Sequence, residues 1–201
     1  MVFSFSIVFS CKKDKVSPTN KPYATIEPLS YFPVYPGSYW KYVNANNDTT
    51  IIETAPEYQL DFYTEAGQHT SDTFYVPIYN GVPIWGYEEH TGSISYGGSY
   101  PLATILSETL PVWQSWIIKN WGAIKHSRRV SAKDTTITIN GTDYYPTIVI
   151  DQFWYSGGPP NMPMINKRYY TKNIGLIKED TYNFIDSSVV TKEIIDYHIN
   201  Y

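Results

Sequence analysis

The stretch Thr135-Thr136-Ile137-Thr138-Ile139-Asn140-Gly141-Thr142-Asp143-Tyr144-Tyr145-Pro146-Thr147-Ile148-Val149-Ile150-Asp151-Gln152-Phe153 decides the fold class. Ile137 and Ile139 share one face of Thr135–Asn140, which is the period of a half-buried strand. Tyr144–Phe153 is rich in β-branched and aromatic residues, a second strand. Asn140-Gly141 lies between them, and Asn-Gly between β-rich runs is the strongest short-range hairpin signal.

The same pattern extends outward. Tyr58, Leu60 and Phe62 fall on one face of Glu57–Thr64. Further strands are expected at Ser38–Val43, Thr49–Thr54, Thr73–Tyr79, Ile84–Glu89, Trp116–Lys119, Ser127–Ala132, Lys167–Thr171, Leu176–Tyr182 and Val189–Ile199. The one helical turn expected is Leu102–Leu110, stopped by Pro111. Leucine is scarce, while there are 20 Tyr, 8 Phe and 6 Trp, which suit a pleated, half-buried surface. With 14 Pro and 12 Gly along the chain, long helices are disfavoured. The expected fold is all-β or mostly β: an antiparallel meander forming a strongly curved sheet or half-barrel, with a β-sandwich as the alternative.

The N-terminal stretch has a different character. Met1–Ser10 is apolar with small serines and too short to cross a bilayer as a helix. It reads as the end of a secretory h-region, although no Lys or Arg precedes Cys11. Val8 stands three positions before Cys11 and Ser10 directly before it, which resembles the bacterial lipobox; Phe9 is bulkier than that pattern prefers. The resemblance implies acylation of Cys11 and cleavage before it. Cys11 is the only cysteine, so it cannot pair within the chain. Lys12–Ser30 carries Pro18, Pro22 and Pro28 among polar residues and reads as an extended tether. The expected organisation is a signal-peptide remnant over 1–10, a lipidated cysteine and tether over 11–30, and one β-rich domain over 31–201.

Two further motifs carry a family resemblance. Tyr31-Phe32-Pro33 is followed by Gly37, Trp40 and Tyr42, and Tyr169-Tyr170 by Asn173-Ile174-Gly175-Leu176-Ile177-Lys178. With the lipobox and the Pro-rich tether, they resemble an uncharacterised family of Gram-negative secreted lipoproteins. That resemblance implies an exported protein, lipid-anchored at the outer membrane of the cell envelope, and a β fold; it implies no activity. A fainter internal echo links Phe32-Pro33-Val34-Tyr35, leading to Trp40, with Leu110-Pro111-Val112-Trp113, leading to Trp116.

No constellation for catalysis stands out. There is no Gly-x-Ser-x-Gly elbow. His69, His90, His126 and His198 are not paired at metal spacing, so no metal or cofactor is expected. The carboxylates Glu88, Glu89, Asp151, Glu179 and Asp180 have the residue type of a glycoside hydrolase, and a small hydrolase is the alternative function. The net charge of −4 argues against nucleic acid, and Lys125-His126-Ser127-Arg128-Arg129 reads as a solvated strand face. The remaining lead is aromatic: Tyr144, Trp154, Tyr155 and Tyr169 are the candidate ligand-binding residues. Such rings suit a glycan, peptide, lipid or envelope partner. A third reading is a structural subunit of an envelope complex.

Overall fold

A computed structural model describes residues 30–57, 59–65, 68–75, 78–79, 83–89, 93–98, 100–121, 124–156, 163–183 and 185–201. Cys11, the signal-peptide remnant and nearly all of the tether lie outside these residues. Every regular element described is a strand. They are β1 (Tyr39–Asn44), β2 (Thr49–Thr54), β3 (Gln59–Glu65), β4 (Gln68–Tyr75), β5 (Ile78–Tyr79), β6 (Pro83–Glu89) and β7 (Ser93–Gly98). Then follow β8 (Tyr100–Ser107), β9 (Ser115–Trp121), β10 (Ile124–Ile139), β11 (Thr142–Ser156), β12 (Met164–Thr171), β13 (Gly175–Tyr182) and β14 (Val189–His198).

Twelve strands form one antiparallel sheet in the order β8-β7-β6-β5-β2-β1-β14-β13-β12-β11-β10-β9, and β3 pairs with β4 as a separate hairpin. The first and last strands meet in the middle, Tyr42 opposite Ile194. The two edges, β8 and β9, are consecutive in the chain. Laid flat, twelve strands would set these edges roughly 53 Å apart. The connector from Ser107 to Ser115 reaches at most roughly 28 Å. The sheet must therefore curl, as the half-barrel reading requires, and it is one continuous sheet rather than a sandwich.

The Asn140-Gly141 hairpin forms as expected. Ile139 pairs with Thr142, and both turn residues have positive φ, 50° and 81°, the geometry that makes Asn-Gly favourable there. The two expected strands Ser127–Ala132 and Thr135–Asn140 are one long β10. Register shifts between Val130 and Ile137 and a left-handed Asp134 bend it without ending it.

The core lies on the face that carries Trp40, Tyr42, Val130, Ile148, Ile150, Tyr170, Ile177 and Ile194. The two sequence motifs meet here. Phe32 stacks on Trp40 with ring centroids 5.7 Å apart and meets the edge of Tyr170 at 6.1 Å. Trp40 Nε1 donates to the Ile174 carbonyl, and Tyr42 Oη donates to the Leu176 carbonyl at 2.8 Å. Gly175 has φ +99°, and a Cβ there would lie 3.2 Å from Trp40 Nε1. Backbone conformation and space both demand glycine. Gly175→Ala is expected to destabilise by about 2 kcal/mol. Gly141→Ala, with φ +81° but nothing within 4 Å, should cost about half as much. Urea titration of the two variants checks the ranking; equal midpoints would remove the Trp40 contact as a cause.

Three expectations need correction. Leu102–Leu110 is not helical: residues 100–107 form β8, preceded by an unforeseen β7. β8 is an edge strand, where Pro101 is tolerated, and the window is too short for a helix to outweigh pairing with β7. Second, the basic run is not a solvated face, for Arg128 is buried at 7% exposure. Third, the internal echo holds in position but not in burial. It introduces β1 and β9, the first strands of two six-strand halves, β1-β2-β5-β6-β7-β8 and β9 to β14. Phe32 and Val34 are core, whereas Val112 and Trp113 are exposed.

Candidate functional site

Of the four candidate aromatics, the three with described side chains, Tyr144, Trp154 and Tyr169, do not share one face. Tyr144 pairs with Ile137 and packs on the margin of the core; burial, then Tyr197, pushes its hydroxyl up. Trp154 shares a face with Gln152 and Ile150 by strand alternation and lies beside His126, ring centroids 6.0 Å apart. Tyr169 pairs with Val149 and alternates onto the opposite, outer face. The Tyr155 side chain lies outside the described residues.

What the inner face does present is a row of polar groups crossing five strands. Arg128 Nη2 donates to Gln152 Oε1 at 3.2 Å, and Arg168 Nη1 donates to the same oxygen at 3.3 Å. Arg168 Nε donates to Glu179 Oε1 at 2.6 Å. Lys192 Nζ reaches Glu179 Oε2 at 3.1 Å and lies over the Tyr42 ring at 5.0 Å. Register explains the row. Arg128 opposes Gln152, Arg168 opposes Glu179 and Glu179 opposes Lys192. Burial alone would raise the Glu179 pKa, but Arg168 and Lys192 outweigh it and hold the carboxyl below its ordinary value. Glu179 is therefore a carboxylate at neutral pH and is unsuited to donate a proton.

The outer face carries a second row. Asp151 is buried and receives Arg129 Nη2 at 2.9 Å and Ser131 Oγ at 3.0 Å. Arg129 is held between the rings of Trp113 and Phe153, 4.9 and 4.7 Å from their centroids. Asp180 accepts from Tyr169 Oη at 2.9 Å and from Thr191 Oγ1 at 2.8 Å. Burial, then that hydrogen bond, pushes the Tyr169 hydroxyl well above the ordinary tyrosine value. Among the proposed hydrolytic carboxylates, Glu179 thus faces inward while Asp151 and Asp180 face outward. The Glu88 and Glu89 side chains lie outside the described residues. Among the described residues, no group of three or more His, Cys, Asp or Glu could hold a metal.

A third feature, which sequence reasoning missed, is the start of the domain at Ser30, where the expected tether ends. Tyr31 N–H donates to Glu108 Oε1 at 2.8 Å, and Ser30 Oγ donates to Glu108 Oε2 at 3.3 Å. Asn173 N–H donates to the Ser30 carbonyl. Lys133 Nζ donates to the Glu108 carbonyl at 2.6 Å. The connector after β8 and the β12–β13 turn therefore grip the first described residue. Glu108 gave no sequence signal because its partners lie 77 and 78 positions away.

No protein-family profile matches the chain, and no curated protein matches it. Among solved structures, it is similar to a candidate lipoprotein from Parabacteroides distasonis at 9% identity and TM-score 0.43, covering 86% of this chain and 100% of that one. It is also similar to a candidate exported protein with a YmcC-like fold from Bacteroides fragilis at 11% identity and TM-score 0.42, covering 85% and 99%.

Proposed function

We propose that this protein is a non-catalytic lipoprotein of the cell envelope, exported and held at the outer membrane through acylated Cys11, whose β domain works by recognition. The observation that carries this reading is Val8-Phe9-Ser10-Cys11 followed by a Pro-rich stretch that ends at a gripped Ser30. A tether needs such a fixed point, since otherwise strain on it would peel away the first core residue, Phe32. Glu179 faces inward while Asp151 and Asp180 face outward, so these carboxylates do not flank one bond as hydrolysis requires, and both polar rows serve to hold the sheet. The partner classes that suit this surface are a glycan, a peptide, a lipid or an envelope protein, with no role for nucleic acid.

The anchor has a direct test. Each buried lipid methylene contributes about 0.8 kcal/mol, and stable attachment takes more than one chain. Removing the acceptor sulfur therefore removes all of it. Cys11→Ser is expected to move the protein from the membrane fraction to the soluble fraction. Unchanged fractionation would falsify the anchor.

A further inference from the structure

Three aromatic side chains among the described residues are more than half exposed: Tyr201 at 75%, Trp113 at 67% and Tyr145 at 63%. Their exposure is not scattered. Tyr201 Oη donates to the Asn173 carbonyl at 3.0 Å, and Asn173 is the residue whose N–H holds Ser30. Tyr145 precedes Pro146, whose carbonyl accepts from Lys172 N–H at 3.0 Å, next to Asn173 again. Trp113 stands five residues after Glu108, so it lies at most about 18 Å from the other half of the grip. Tyr145 and Tyr201 thus border the point where the chain enters the domain, and Trp113 stands on the neighbouring wall within that reach.

Trp113 also adopts a conformation that such a bulky residue rarely takes, with φ +70°. Its N–H donates to the Val130 carbonyl at 2.7 Å, and Val130 N–H donates back to Gln114 at 3.1 Å. Arg129 backs the ring. A strained residue persists where the surroundings over-determine it, often at a ligand contact. Here the strain holds an indole outward beside exposed Val112.

We infer that this end of the domain is a membrane-docking face, on which Trp113, Tyr145 and Tyr201 enter the headgroup layer of the phospholipid bilayer that carries the anchor. The inference rests on the lipid-anchor reading, because a tether that leaves beside Tyr145 and Tyr201 turns this end of the domain toward the bilayer. Tyr and Trp are the side chains that settle at a membrane interface, apolar body inward and polar atom in the headgroups. The 19 steps along the chain from Cys11 to Ser30 span at most about 65 Å, so the tether sets an upper limit on separation and permits close contact.

The single cysteine makes the test independent of acylation in the cell. The full chain is coupled through Cys11 to a maleimide-headgroup phospholipid in phosphatidylethanolamine–phosphatidylglycerol vesicles containing acyl-brominated lipid. Bromine quenches only tryptophans at the bilayer. The expected result is loss of the emission of one tryptophan in six, abolished by Trp113→Phe and at least halved by Tyr145→Ser with Tyr201→Ser. Equal quenching of the wild type and Trp113→Phe, or no quenching of either, overturns the docking face and leaves a protein-binding patch as the reading of these rings. If Cys11→Ser leaves fractionation unchanged while Trp113 is quenched, the anchor fails and the docking face stands.

Discussion

Trp40→Ala is expected to remove about 4 kcal/mol of stability, the usual cost of truncating a large buried aromatic. Trp40 is fully enclosed, and its ring stacks on Phe32 nearly parallel, at 3°. Its Nε1 is committed to the Ile174 carbonyl, beside a position where the indole leaves room only for glycine. Alanine would leave a cavity bounded by Phe32, Tyr170 and Gly175, with an orphaned carbonyl in it. Since domains are stable by about 5–15 kcal/mol, one substitution removes a large share. For a domain of this size the melting temperature should fall by roughly 8–16 °C. Trp40→Phe keeps the stacking and loses the hydrogen bond, so about 1–2 kcal/mol is expected. A thermal or urea series would refute the account if alanine cost no more than phenylalanine.

The second large effect concerns Glu179. It is the only acidic side chain described in the inner row, between Arg168 and Lys192. Glu179→Leu leaves two cations facing an apolar group, and removing one partner of a buried pair costs about 3–5 kcal/mol. The lower end is expected here, because all three side chains keep some access to water. Glu179→Gln preserves an acceptor for Arg168 and should cost less. The pH dependence separates charge from shape. The folded-state pKa of Glu179 is lowered, so its contribution is fully present above the unfolded carboxyl value, about 4.3. It is lost as pH falls through the folded value. The stability gap between wild type and Glu179→Gln should therefore be widest near neutral pH and shrink in acid. A gap independent of pH between 7 and 3 would show that the carboxylate charge is not what matters.

The legible parts of the fold were those fixed by local chemistry. Asn140-Gly141 announced its hairpin because few other pairs adopt two positive φ values cheaply. Thr49–Thr54 was bounded correctly because alternation and flanking turn residues agree. Gly97-Gly98 hid β7, since paired glycines ordinarily mark a turn, and the Leu spacing around Leu106 imitated a helix. Arg128 looked solvated because its buried partner Gln152 sits on the next strand, and sequence shows no register. The same blindness applies to the candidate site. Aromatic density pointed to Tyr144, Trp154 and Tyr169, but which face a ring takes depends on alternation counted through bulges. Trp113 had its signal in the echo of Pro33-Val34-Tyr35; the echo locates the start of a strand and is silent on whether solvent covers it.

The pairing of β1 with β14 has a consequence in time. A meander whose first strand lies beside its second and its last cannot finish its sheet until residue 198 exists. Such long-range pairing raises contact order and slows folding. The export proposed above would thread the chain N-terminus first, and a domain that closed early would jam in a narrow conduit. In this protein Trp40 finds neither Ile174 nor Gly175 until most of the chain is present. For an exported chain, such an architecture would keep the polypeptide open through passage and let it shut, from both ends at once, on arrival.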